Sequence, residues 1–229
     1  MFTREYSFDQ KISSAMTAVY AWMCCALAVT AAAAYYVATN HDLFVYVQQP
    51  GIMIALFLGQ LAFVVGLSFF LNRISYATAL ALFLLYSFSL GITLSSIFYV
   101  YTHASIVSTF LTTAFTFGAM SLYGYATRSD LTTMGNMGFM VLIGLMIGMM
   151  VNMFLQSAQF DYVLSFVGVI LFVLLTAYDT QKIKQLMQRL VNNEDMLGKA
   201  AVFGALTLYL DFINLFLFLL RFMGKRDER

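Results

Sequence analysis

The sequence predicts an all-α polytopic membrane protein with seven transmembrane helices. Three observations carry that expectation. Hydrophobic residues make up 62% of the chain and charged residues only 10%, with a single Pro among 229 residues, a composition too apolar for a soluble globule. Seven apolar runs follow one another, each long enough to cross roughly 30 Å of hydrocarbon at about 1.5 Å per residue. The few charges fall in short connections, so residues 1–229 read as one transmembrane domain embedded in the lipid bilayer. A net charge of +1 gives no reason to expect a nucleic-acid partner.

The first span covers about residues 14–39, after a polar segment of mixed charge. Its apolar run is longer than the roughly 7–15 residues of a secretory signal, which predicts an anchor. The second span, about 51–71, carries Gln60 as its one strongly polar interior residue and is closed by Asn72 and Arg73. An amide in that setting bonds a neighbouring helix. The third, about 76–101, contains LGITLSSIF, whose Gly91, Thr93, Ser95 and Ser96 offer small surfaces for close helix approach. The fourth, about 105–126, ends in two tyrosines at interface depth before Arg128 and Asp130. Met and Gly dominate the fifth, about 134–155. Unbranched Met fills uneven helix contacts, and no Cys or His joins it to suggest a soft metal. The sixth, about 161–181, is apolar to Thr176 and then reaches Asp179. Ile183, Leu186, Met187 and Leu190 continue at helical spacing among Lys and Gln, an amphipathic extension out of the membrane. The seventh, about 200–223, precedes the charged tail GKRDER.

Cys24 and Cys25 are adjacent in an apolar run, too close for an ordinary disulfide. His41 and His103 lie in separate connections without other ligands at metal spacing. No cofactor is expected.

Lys and Arg alternate by connection: two in the N-terminal segment, then Arg73, then Arg128, then four between residues 182 and 199, with none in the intervening connections. The positive-inside rule therefore places the N-terminus in the cytoplasm. The tail breaks the alternation. Seven full crossings carry Arg221, Lys225, Arg226 and Arg229 outside, unless the last segment dips in and returns.

The residue that draws attention is Asp211, inside GALTLYLDFINLFLFLLR. A lone carboxylate at the centre of a span costs roughly 2.5–3.5 kcal/mol on insertion scales, so it predicts a function and a partner. Asp179, near the end of the preceding span, is the candidate partner, and Arg73 a candidate counter-charge. Asp211 lies roughly 16 Å into the seventh span, deeper than Asp179, so a shared site requires the last two helices to be adjacent or the last to begin outside the hydrocarbon. Taken singly, Asp179 also suits a solvated helix end, Arg73 an interfacial anchor, and Asp211 a structural hydrogen bond.

LGITLSSIF, MSLYGYATRSDL, TAYDTQKIK and GALTLYLDFINLFLFLLR together resemble the Bax inhibitor (transmembrane Bax inhibitor motif) family over nearly the whole chain, with the bacterial inner-membrane members most similar. The resemblance implies a seven-helix fold with the last helix central and a pH-sensitive calcium leak in the cell inner membrane. It also implies that two aspartates, matched here by Asp179 and Asp211, share a proton. The family's latch arginine matches Arg73, although the family often has a basic run where this chain has one Arg. Relatives linked to membrane proteases and stress survival imply an alternative, a non-conducting regulator with a membrane protease as partner.

Two carboxyls close together in a poorly hydrated site cannot both ionise cheaply and titrate as a pair. An Arg73–Asp179 pair would hold the inner end shut, and the proton shared with Asp211 would set the strength of that latch. Once the latch releases, carboxylate oxygens of Asp179 and Asp211 offer a transient metal site that suits Ca²⁺ better than Mg²⁺, which dehydrates reluctantly. Enzymatic activity is not expected. Tyr178-Asp179 and Leu210-Asp211-Phe212 imitate the outline of an intramembrane aspartyl protease, but the Gly-x-Gly before the second aspartate and a Pro-Ala-Leu element are missing.

Overall fold

An apolar backbone in lipid must satisfy its own hydrogen bonds, and the chain does so almost entirely as helix. The computed structural model describes residues 2–70 and 73–227, without the side chains of residues 2–7, 67, 68 and 70. Leu71, the expected end of the second span, and Arg229, counted with the tail charges, lie outside the described residues. Among those described, the helices are α1 (Phe2–Thr39), α2 (His41–Val47), α3 (Pro50–Phe70), α4 (Tyr76–Leu94), α5 (Ile97–Val100), α6 (His103–Ala126), α7 (Thr132–Leu155), α8 (Ala158–Leu190) and α9 (Glu194–Met223). Six are long and apolar enough to cross a membrane, with α4 and α5 counted together, and seven if α2 and α3, bent by 71°, form one span. The chain is therefore a polytopic all-α membrane protein.

Local chemistry explains the boundaries. Ser75 accepts a hydrogen bond from the Thr78 N–H at 3.1 Å and caps α4, and Thr102 caps α6 through the Ser105 N–H at 3.3 Å. Pro50, the chain's one proline, stands at the first position of α3, where its missing N–H costs nothing. α7 ends at Gln156, which takes the left-handed conformation at φ 51°. α9 starts at Glu194, ahead of the apolar run that begins near Ala200, with Asn193 accepting from the Met196 N–H at 3.1 Å.

The chain forms two compact units, one of residues 1–100 with 185–209 and the other of residues 101–184 with 210–229. In the first, Gly91 of α4 lies against the backbone of Thr30, where a Cβ would also stand only 2.8 Å from the Ala33 methyl. Lipid tails are as apolar as Leu, so such close backbone packing holds helices together where hydrophobic burial cannot. Gln60 of α3 donates to Thr93 at 2.8 Å and to Ser89 at 3.2 Å on α4, the interhelical use expected of a membrane amide. Tyr209, fully buried on α9, contacts the hydroxyl of Thr30 at 2.7 Å and packs edge-on against Phe83. Thr30 spends its own proton on the carbonyl of Ala26 or Ser87, so Tyr209 is the donor.

The second unit packs α6, α7, α8 and the second half of α9. Gly124 of α6 meets the backbone of Ala177 on α8, and Gly135 of α7 meets the ring of Tyr178. Phe212 of α9 lies between Phe110 and Phe117 of α6, with ring centroids 5.4 Å from each, and Phe218 stacks on Phe172 of α8 at 5.7 Å. α9 is the most buried span: 72% of its apolar window is buried, against 11–44% for the other single helices.

The tail's position bears on the question left open by the charge pattern. After α9, the backbone of residues 224–226 folds onto the start of α6. Lys225 donates from its N–H to the Ser105 hydroxyl at 2.9 Å and accepts from the Thr102 N–H at 3.2 Å, beside an antiparallel bridge between Tyr101 and Arg226. At the other end of α6, Lys184 donates to the Tyr125 carbonyl at 2.8 Å. The tail and Lys184 of α8 are thus at opposite ends of α6, and α9 is one unbroken helix long and apolar enough to cross a membrane.

Candidate functional site

The expected aspartates stand on neighbouring helices. Asp179 is carried by α8 and Asp211 by α9, and the two helices run antiparallel in the second unit, as the pairs Phe172–Phe218 and Phe166–Phe222 show. The two carboxyls lie close enough for each to act on the charge of the other. The depth mismatch inferred from the sequence is resolved by this packing and by the early start of α9.

Their surroundings differ. Asp211 is 5% exposed, flanked by the buried Phe212, and its Oδ2 is fully enclosed with no hydrogen-bond partner among the described residues. Asp179 is half-buried and one helical turn from Lys182, an exposed residue whose charge acts on it. The ammonium of Lys182 also sits 5.3 Å from the centre of the Tyr178 ring, which packs against Gly135 of α7. Beside Asp179, Thr180 is fully buried and pairs with Ser121 of α6 at 3.3 Å. Gln181 binds the α6–α7 connection, accepting from the Leu131 N–H at 3.0 Å and donating to the Ser129 carbonyl at 2.8 Å.

Arg73 is exposed in the connection between α3 and α4 and belongs to the first unit, whereas both aspartates belong to the second. Sequence reasoning placed Lys182 on a solvated extension and missed it as a neighbour of Asp179. The signal was present, since residues three apart on a helix share a face. Gln181 and the Ser121–Thr180 pair left no such trace.

Among the described residues no three His, Cys, Asp or Glu side chains cluster as a metal cage. The aspartates are a two-residue oxygen donor set, and a weak site of that kind suits an ion that must also leave.

Fold and site define a class: a multi-pass helical membrane protein with one carboxyl in its most buried span and a second on the adjacent helix. The model of the family described as "Inhibitor of apoptosis-promoting Bax1" matches residues 12–228, and the chain belongs to that family. It is 48% identical over 213 residues to the Escherichia coli K12 protein named "Inner membrane protein YbhL", covering 92% of this chain and 91% of that one. An uncharacterized protein of Borreliella burgdorferi is 45% identical over 209 residues, 91% of this chain and 90% of its own. One of Deinococcus radiodurans is 40% identical over 225 residues, 98% and 96% of the two chains.

Proposed function

We propose that the protein is a pH-sensitive calcium (cation) leak channel of the cell inner membrane, with its N-terminus cytoplasmic. The observation that carries the reading is the proximity of the Asp211 and Asp179 carboxyls on two adjacent apolar helices. Two such groups, one of them with an enclosed and unpartnered oxygen, hold a proton between them more cheaply than two negative charges. Loss of that proton adds a charge where lipid and packed side chains offer little compensation. The site's preference then changes from a proton to a cation, and a divalent ion is favoured by both carboxylates together. The pair is a site for holding and passing ions rather than a catalytic centre. Arg73 has the role of a latch on Asp179, a part of the reading that rests on the family resemblance. The location follows from the relative named an inner membrane protein and from the distribution of Lys and Arg.

Reconstitution in liposomes with an internal Ca²⁺ dye across a pH series tests this. Wild-type protein should pass Ca²⁺ with a pH-dependent rate, and Asp211→Asn and Asp179→Asn should each flatten that dependence. Arg73→Ala should raise flux where the wild type is closed. Unchanged flux and pH profile in both aspartate variants would remove the pair from the mechanism. A wild type without flux that co-purifies stably with a membrane protease would instead establish the non-conducting regulator.

A further inference from the structure

The aspartate pair is one station, and an ion crossing the bilayer needs a route beyond it. α6 presents Ser105, Thr109, Thr113, Phe117 and Ser121 on one face at spacing four, and all five are buried. The Phe212 ring, equally distant from Phe110 and Phe117, lies at the level of Thr113, one residue from Asp211. Ser121 is at the level of Asp179 through its contact with Thr180, and Ser105 is at the tail end through Lys225. The hydroxyl face therefore runs from the carboxyl pair to the far end of the bundle, interrupted by one aromatic layer.

The second observation concerns Thr109. Buried hydroxyls here normally bond the carbonyl four residues back, as Thr113 does to Thr109 at 2.8 Å and Thr176 does to Phe172 at 2.7 Å. Thr109 is 1% exposed, yet its Oγ1 has no partner among the described residues, where the Oδ2 of Asp211 in the same unit is the other enclosed side-chain oxygen without one. An orphaned polar atom in an apolar bundle calls for water or an ion. One lies on each side of the Phe117–Phe212 layer, so an apolar layer of the kind that can close a path by excluding water stands between two enclosed oxygens.

We propose that the α6 face Ser105–Thr109–Thr113 is the second half of the ion path, a hydroxyl-lined column for water and a hydrated cation, closed toward Asp211 by Phe117 and Phe212. The proposal rests on the reading of the protein as a cation leak and adds the route and its closure. Hydroxyl oxygens replace part of a cation's hydration shell without a fixed charge to trap it, so the column conducts without storing.

The test is thiol accessibility in calcium-free liposomes, with the full chain carrying Cys24→Ala and Cys25→Ala. A membrane-impermeant, water-soluble thiol reagent should label Thr109→Cys and Thr113→Cys at least tenfold faster than Leu111→Cys, which is 51% exposed on the outer face of α6. In flux measurements Thr109→Val should slow Ca²⁺ passage while Thr109→Ser retains it. Phe117→Ala should raise flux several-fold and leave the pH midpoint in place. Labelling of Thr109→Cys no faster than Leu111→Cys overturns the column while leaving the aspartate reading intact. Fast labelling in a protein whose wild type passes no cation overturns the leak and reduces the column to a pocket for water.

Discussion

Asp211 and Asp130 show how much a carboxyl's meaning depends on where the chain puts it. Asp130 is exposed before α7 and accepts from the Thr132 hydroxyl at 2.6 Å and from the Thr132 N–H at 2.9 Å. Those bonds, the hydroxyl's first, hold its carboxyl below the ordinary value of 3.8. Between the two values the folded state binds fewer protons than the unfolded one, so stability rises with pH there. The contribution is complete above 3.8 and is lost as pH drops through the lower folded value. The Thr132 amide resonance should accordingly titrate with a midpoint below 3.8, and a midpoint at or above it would show that the capping bonds do not form. Asp211 has one carboxyl oxygen enclosed without a hydrogen-bond partner among the described residues. Its neighbour is another acid, so its charge state follows that of Asp179, and the site's chemistry belongs to the pair.

At the scale of the helix, position on the face decides what a small residue does. Gly124 and Gly118 are both on α6, but a Cβ at Gly124 would run into the backbone of Ala177, whereas nothing lies within 4 Å of one at Gly118. Gly124→Val should therefore force α6 away from α8, part the Ser121–Thr180 contact beside Asp179 and cost about 1–3 kcal/mol, as overpacking does. Gly118→Ala should be neutral or stabilising by at most about 1 kcal/mol. Thermal unfolding in detergent distinguishes them. Equal melting temperatures for the two variants would mean that the α6–α8 approach carries no energy. Since Gly124 stands next to the layer that holds Asp179, the first variant should also disturb the pH response of flux, and the second should not.

At the scale of the whole molecule, α9 has two tasks along one unbroken length. Its first half contributes Tyr209 to the bonded cluster with Thr30, and its second half carries Asp211 and the rings that meet α6 and α8. A full crossing by this helix puts the turn at Asn192 and the tail at Arg226 on opposite sides of the membrane. In a chain lacking both native cysteines, Asn192→Cys and Arg226→Cys should label with impermeant reagent from opposite faces of oriented vesicles. Labelling of both from one face would contradict the crossing.

The linear order of residues was enough to determine that this is a membrane bundle. Composition and span length follow from the cost of exposing polar backbone to lipid, which acts on each segment independently of its neighbours. Asp211 could be singled out for the same reason, since the cost of a carboxyl in a span is local. Its partner could only be nominated. Whether Asp179 reaches it depends on which helices lie side by side and where α9 starts, and these are set by glycine contacts and aromatic layers between segments remote in sequence. The same holds for Lys182 beside Asp179, for the tail folded onto α6, and for the unpartnered oxygen of Thr109. Tertiary packing decided them because each is a relation between helices, and hydropathy reports on one helix at a time.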